Sequence, residues 1–254
     1  MTRKIAFVNE KGGSCKTTLS VNIAAYLARQ GRKVCLVDLD PQGQVGKSLG
    51  FDVAAMSPTV FEMLTDPNVS ARDAVFSSNL ENLDVIVANK ALVDFAVVAA
   101  ADDDRVMKLK DKLDRLRGYD FIIIDSPPSL GLTTLNIMLA VKEIIIPVSL
   151  TFLALDGASE ILETVENVKR TYNKRDLAIT MVVPTLYRRT RLADAIVQKL
   201  TDFFGETLSK TVVGYNVAID EAQSMGQTIW DYAPRSRGAQ MLEALGKEII
   251  ARGK

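Results

Sequence analysis

The sequence predicts an α/β fold: one doubly wound, mostly parallel sheet with helices on both faces. Three observations carry this. Near-continuous Val/Ile/Leu runs alternate with helix-like segments along the chain, the pattern of strands buried on both faces. A glycine turn followed by Lys16-Thr17-Thr18 joins the first apolar run to the first helix. Two later runs end in carboxylates, at Asp38/Asp40 and at Asp125, and prolines or glycines stop both.

The first strand is predicted over 5–8 and the first helix over 19–28, closed by Gly31. Between them lies Lys11-Gly12-Gly13-Ser14-Cys15-Lys16-Thr17-Thr18. The first turn of a helix has N–H groups without intrahelical partners and a partial positive charge, so it suits a polyphosphate. Gly12 and Gly13 let the backbone approach such a ligand closely. In a phosphate-binding loop Lys16 would reach the β- and γ-phosphates and the Thr17 hydroxyl would bind Mg²⁺. The strict pattern G-x-x-x-x-G-K-[ST] fails twice, because Glu10 and Cys15 stand where it requires glycine. A Gly-Gly turn before a helix, with Lys and Thr there by chance, is the competing reading.

The second strand is predicted over 32–39. It leads into Asp38-Leu39-Asp40-Pro41-Gln42-Gly43, which puts two carboxylates at the sheet edge that carries the glycine loop. Residues 44–80 are less regular, with a short helix over 59–64 between Pro58 and Pro67. A strand is expected over 83–87 and a helix over 91–116, with a break or N-cap at Asp102-Asp103-Asp104. That acidic triplet reads as a solvated helix start. The run 119–125 ends in Asp125 and has the Walker B form, a strand carrying an acid to a place where it can order water on Mg²⁺. Helices are then expected over 132–141, 154–172, 192–204, 216–225 and 238–252, and strands over 143–148, 177–183 and 207–213. No repeat or linker interrupts the series, so 1–254 reads as one domain.

Composition excludes several functions. Lys+Arg and Asp+Glu both number 31, so only a local patch could attract nucleic acid or membrane. The chain has two cysteines and no histidine, which rules out a Cys/His zinc site and histidine catalysis. A disulfide framework is not expected, and a reducing cytoplasm fits. Charges interrupt the N-terminal apolar residues, so no signal peptide is read there, and no apolar run approaches the roughly 18 residues of a membrane span.

Together the motifs resemble the ParA/Soj partition-ATPase branch of the deviant Walker A ATPases, the group that also holds MinD and the nitrogenase iron protein. The resemblance covers nearly the whole chain. It rests on K-G-G-x-x-K-T-T at 11–18, V-D-L-D-P-Q-G at 37–43, F-I-I-I-D-S-P-P-S-L-G at 121–131, I-I-P-V at 145–148, A-L-D-G at 154–157 and Y-x-P-R-S-R-G-A at 232–239. It implies the deviant P-loop NTPase fold, ATP and Mg²⁺ as cofactors, and slow ATP hydrolysis in an ATP-bound sandwich homodimer. Lys11 would then reach the partner's phosphates, as a cation supplied in trans. The resemblance gives Lys16 to the β/γ-phosphates and places Thr18 near the α-phosphate. Thr17 and, through water, Asp125 would hold Mg²⁺, with Asp38 in its outer shell. Asp40 would position or activate the attacking water.

The same resemblance implies non-specific DNA binding on the nucleoid and a ParB-like or other cargo adaptor that stimulates hydrolysis. The cargo would be a plasmid, a chromosome origin or a protein assembly. Candidate phosphate contacts are Arg188, Arg189, Arg191, Arg235 and Arg237, with Lys247. No helix-turn-helix extension precedes the loop, so operator binding is not expected, and the C-terminal segment lacks the basic, bulky-apolar character of a membrane anchor.

Two departures stand out. Ser14 and Cys15 replace the usual Val-Gly, and a Cβ at 15 must tolerate the backbone angles there. A thiol at a helix N-terminus beside Lys16 could also be acidified and oxidisable; the plainer reading is a tolerated small residue. Gly214, Tyr215 and Ala218 stand where relatives often have Pro-Arg-Asn-Val-Arg, which weakens the DNA expectation. The alternative is therefore an ATP-dependent dimerisation switch or adaptor with little hydrolysis and no DNA step. A reductase on the same scaffold would need cluster cysteines after Asp125, and no cysteine lies beyond Cys35.

Overall fold

The computed structural model describes residues 2–151 and 154–253. Eight strands form one sheet: β1 (Arg3–Phe7), β2 (Val34–Asp38), β3 (Phe76–Ser77), β4 (Leu83–Ile86), β5 (Phe121–Asp125), β6 (Glu143–Ser149), β7 (Ala178–Tyr187) and β8 (Val213–Gly214). Their order is β3-β4-β2-β5-β1-β6-β7-β8, and every pairing is parallel except β3 with β4. The chain moves outward in one direction through β2 and β4 and in the other through β6 to β8. The loop after β1 therefore sits where the winding reverses, at the carboxyl ends of the strands, the usual ligand crevice of such sheets.

Strand alternation divides the core in two. Ala6, Cys35, Val37, Ile122 and Ile124 face one layer of helices. Ile5, Phe7, Val34, Leu36, Phe121 and Ile123 face the other. The first layer holds α3 (Val60–Thr65), α4 (Phe95–Val98), α5 (Lys108–Arg115), α6 (Leu132–Ala140), α7 (Ala154–Thr171) and α8 (Arg191–Phe204). The second holds α1 (Lys16–Arg29), α2 (Gln44–Ser48), α9 (Val217–Ser224), α10 (Ile229–Tyr232) and α11 (Arg237–Arg252). Both faces of the sheet are covered, as the apolar strands require.

Several helix starts are closed by their own side chains. Thr59 and Glu62 form a reciprocal capping box on α3, Thr190 accepts from Ala193 N on α8, and Ser236 accepts from Ala239 N on α11. Helix α1 has no side-chain cap, a difference that matters below.

The structure corrects the sequence reading in three places. The segment 91–116 is not one helix. A 3₁₀ turn (Lys90–Asp94) and the single-turn α4 are separated from α5 by turns. Lys108 bridges Asp102 and Asp104 at the break, while the Asn136 amide takes up Arg105 O and Leu109 N, two backbone groups a continuous helix would have satisfied. The expected strand over 207–213 shrinks to Val213–Gly214 and one bridge at Leu208, because the N–H groups of Lys210 and Thr211 donate to the Glu248 carboxylate. The short elements α2, β3 and α10 had no periodicity to reveal them.

Among the described residues no helix is long and apolar enough to cross a membrane. Helices α1 and α11 pack closely because Gly246 lies against the Tyr26 ring. A Cβ at 246 would sit 2.3 Å from Tyr26 Cδ1. Gly246→Ala is expected to destabilise the fold by about 1–3 kcal/mol, read by urea unfolding; unchanged stability would show that these helices separate easily.

Candidate nucleotide site

The carboxyl ends of β1, β2 and β5 bring the loop and both acidic motifs together. Asp38 and Asp125 are direct neighbours in the parallel β2/β5 register, and Phe7, the last residue before the loop, pairs with Asp125 on the other side. Asp125 is fully buried. Its Oδ2 accepts from Thr17 Oγ1 at 2.6 Å, tying the first turn of α1 to the end of β5. Its Oδ1 is buried with no hydrogen-bond partner among the described residues, and so is Ser14 Oγ in the loop. Burial pushes the Asp125 carboxyl up to about 7, against the pull of Thr17 and Lys16. Asp38 is pushed well up, by burial first and by Asp125 second.

Asp38 also holds the acidic loop in place. Its two oxygens accept Asp40 N at 2.9 Å and Val45 N at 3.1 Å. Asp40 is half-buried, and its Oδ1 accepts Gln42 N at 2.9 Å. Gly43, at φ 63, turns the chain into α2 where a Cβ would meet Ala88 O at 2.7 Å.

The loop's backbone is fixed from outside. Asn9 Oδ1 accepts Lys11 N, Asn9 Nδ2 donates to Pro147 O, and Thr185 Oγ1 donates to Ser14 O. The amides of Gly12, Gly13, Ser14, Cys15 and Lys16 have no acceptor among the described residues. A run of unpaired amides at an uncapped helix start is an anion cradle. A Cβ built at Gly12 or Gly13 would meet nothing within 4 Å, so the space over the loop is open. Lys16 is 7% exposed, and burial lowers its pKa; its Nζ donates to Lys11 O at 3.3 Å. An ammonium whose one hydrogen bond among the described residues goes to a carbonyl, beside unpaired amides, suits an anion. Among the described residues no three His, Cys, Asp or Glu side chains form a metal cage. A metal here would have to share its oxygens with a phosphate, the usual arrangement for Mg²⁺. The orphaned Asp125 Oδ1 and the Thr17 hydroxyl beside it fit such an ion.

Comparison with known proteins shows the family. Residues 2–179 match a family model described as an AAA domain. The chain is 40% identical to the sporulation initiation inhibitor protein Soj of Bacillus subtilis strain 168, over the full length of both. It is 38% identical to the chromosome-partitioning ATPase Soj of Treponema pallidum strain Nichols, over 99% of this chain and 98% of that one. The protein belongs to the ParA/MinD-type P-loop ATPases. A solved structure of cobyrinic acid a,c-diamide synthase from Mycobacterium smegmatis, with bound ADP and magnesium, superposes with a TM-score of 0.86 at 31% identity. That match covers 100% of this chain and 96% of the other.

Within this ParA-type scaffold the remaining expected residues are placed as follows. Thr18 Oγ1 donates to Gln223 Oε1 of α9 at 3.1 Å, linking the loop to the second helical layer. Lys11 lies over α7, where a Cβ at Gly157 would sit 2.8 Å from Lys11 Cε. The A-L-D-G motif thus supplies the space that the lysine stem occupies. Glu10 faces Glu160 of α7, and the hydrogen bond between these two carboxyls raises the Glu10 pKa. Arg188, Arg189, Arg191, Arg235, Arg237 and Lys247 are all exposed. Lys247 pairs with Glu243, whereas the five arginines make no ion pair among the described residues. Sequence reasoning missed Asn9, Gln223, Gly157 and Thr185. Only Gly157 carried a signal, through its motif.

Cys15 is explained in part. It adopts φ 70, ψ 25, the left-handed region in which the glycine of the strict pattern would be unstrained. The loop keeps the glycine geometry and bears the Cβ. Burial pushes the Cys15 thiol up to about 11, which outweighs the Thr185 hydrogen bond and Lys16, so the acidified thiol is not found.

Two outcomes follow from this geometry. Cys15→Gly and Cys15→Ala both delete the sulfur and differ only in the Cβ. The glycine variant is expected to be the more stable by about 1 kcal/mol, measured by denaturant unfolding; the reverse order would remove backbone strain from the account. Asp125 and Asp38 have folded-state pKa values raised above the unfolded ones. Both contribute stability at low pH, below about pH 4, that is lost as pH rises, for Asp125 through about 7. Ligand-free protein should therefore melt at a lower temperature at pH 8 than at pH 5, and Asp125→Asn should flatten that slope. A wild-type melting temperature that rises over this range would contradict the raised values.

Proposed function

We propose that this chain is a ParA-type partition ATPase that binds Mg-ATP on residues 11–18 and hydrolyses it slowly. The observation that carries the reading is the Thr17–Asp125 hydrogen bond beside the unpaired amides of Gly12 through Lys16. Family membership supports it, as do the names of the relatives, a chromosome-partitioning ATPase among them. In this reading Lys16 and the loop amides hold the β/γ-phosphates, and Thr17 and Asp125 hold the magnesium ion, with Asp38 behind them. Asp40 orients the attacking water. The bound metal would neutralise charge developing on the transferring phosphoryl group.

Two chains would enclose two nucleotides, each Lys11 leaving Gly157 to reach its partner's phosphates. The ATP-bound dimer would hold DNA without sequence preference through Arg188, Arg189, Arg191, Arg235 and Arg237, on the nucleoid in the cytoplasm. A ParB-like or other adaptor would stimulate hydrolysis and link the cycle to a plasmid, a chromosome origin or a protein assembly. Scaffold alone does not decide this, since a chain named as a synthase shares it.

The second reading, an ATP-dependent switch or adaptor with little turnover and no DNA step, draws on the strained Cys15 and on Tyr215 and Ala218. Duplex-DNA retention over a salt series, with ATP and with ADP, separates the two. The partition reading expects ATP-dependent retention that weakens steeply with salt, and its loss in Arg189→Glu with nucleotide binding intact. Lys11→Ala and Asp40→Ala should each lower phosphate release by about 100-fold or more. Retention absent at low salt favours the switch, and undiminished hydrolysis in both variants would overturn the site assignment.

A further inference from the structure

The β7–β8 ladder ends in an arrangement that the partition reading does not explain. Tyr187 pairs with Gly214 in parallel, so the next residues, Arg188 and Tyr215, leave neighbouring strand ends side by side. The register shifts between Thr185 and Tyr187, where Leu186 takes φ 55, a left-handed conformation that bulky side chains rarely adopt. Tyr215 N then donates to Tyr187 O at 3.1 Å, fixing the second strand end to the first. The Arg188 guanidinium carbon lies over the Tyr215 ring, 4.4 Å from its centroid, well within cation–π range. Both residues are exposed, and Arg188 makes no hydrogen bond or ion pair with any described residue. Its face is therefore covered by the ring while its N–H donors remain unused.

The surroundings suit a polyanion. Arg189 and Arg191 follow directly, and the Tyr187 hydroxyl donates to Asp194 Oδ1 at 2.8 Å, occupying the nearest acid of α8. Gly238 packs against Asn216, the neighbour of Tyr215: a Cβ there would meet Asn216 Oδ1 at 2.9 Å. The exposed Arg237 is thus next in the chain to a residue in contact with this loop.

We propose that Tyr215 is a positioning residue for duplex-DNA binding: its ring holds Arg188 as a fixed phosphate contact. This rests on the DNA-binding reading above. An ordered guanidinium loses less conformational freedom on meeting a phosphate than a free one does, and its planar donors match a phosphate's oxygens.

The test compares wild type with Tyr215→Ala, Tyr215→Phe, Arg188→Ala and the Tyr215→Ala/Arg188→Ala double variant, each checked for folding by thermal melting. Binding of a fluorescent duplex to full-length protein with Mg-ATP is measured by anisotropy over a salt series. Arg188→Ala should weaken binding and lower the salt slope by about one contact per protomer. Tyr215→Ala should weaken it about 2- to 5-fold per protomer, Tyr215→Phe should bind as wild type does, and the double variant should be no weaker than Arg188→Ala. An equal loss from Tyr215→Ala in both backgrounds, or a loss in Tyr215→Phe matching that in Tyr215→Ala, would overturn the proposal. Elution from heparin, run on the same five proteins, reads the anion contact without DNA. The expected pattern on heparin with no duplex binding by wild type would overturn the DNA reading and leave the Arg188–Tyr215 pairing standing; absence of the pattern from both measurements would overturn the pairing too.

Discussion

The structure depends on one partly buried hydrogen bond, from the Thr17 hydroxyl to Asp125. Burying a carboxylate at the end of a central strand is costly unless something offsets it. Here one oxygen is satisfied by the first turn of α1 and the other by nothing among the described residues. The raised pKa of Asp125 is the physical expression of that imbalance. A fold that only needed a stable core would place leucine or asparagine there. The site keeps an acid that is uncomfortable alone and comfortable beside a cation.

The same logic runs through the neighbouring groups. Helix α1 lacks the side-chain cap that α3, α8 and α11 possess, and its loop amides lack acceptors. Lys16 is buried with a carbonyl for company. Anion donors and an acidic acceptor, each under-satisfied, lie at the one sheet edge where the winding reverses. Mg-nucleotide complements both sets at once. The rigid parts, Asp38 holding the Asp40 loop and Asn9 and Thr185 holding the glycine loop, keep the cradle open before a ligand arrives.

Much of this was legible in the sequence because strand periodicity and loop motifs are local. The strands ending in Asp38 and Asp125 and the turn from Gly12 to Lys16 fall where their residues place them. What was not legible depends on contacts distant in sequence. The break inside 91–116 is held by Asn136, and the loss of a strand near 210 follows from Glu248; neither partner is visible from the segment it reshapes. Cys15 could be read as a misfit but not as left-handed, and its thiol is governed by burial that no motif reports. The Arg188–Tyr215 contact joins residues that become neighbours only when β7 and β8 pair.

The central claim is that an under-satisfied, partly protonated Asp125 and the loop amides together receive a magnesium-bound nucleotide. Calorimetric titration of ATP into the protein near pH 6.5, in buffers of different ionisation heat, tests it most directly. The account predicts binding that needs Mg²⁺ and releases protons from wild type, with much less release from Asp125→Asn. Binding equally tight in EDTA, with no buffer-dependent heat, would contradict it.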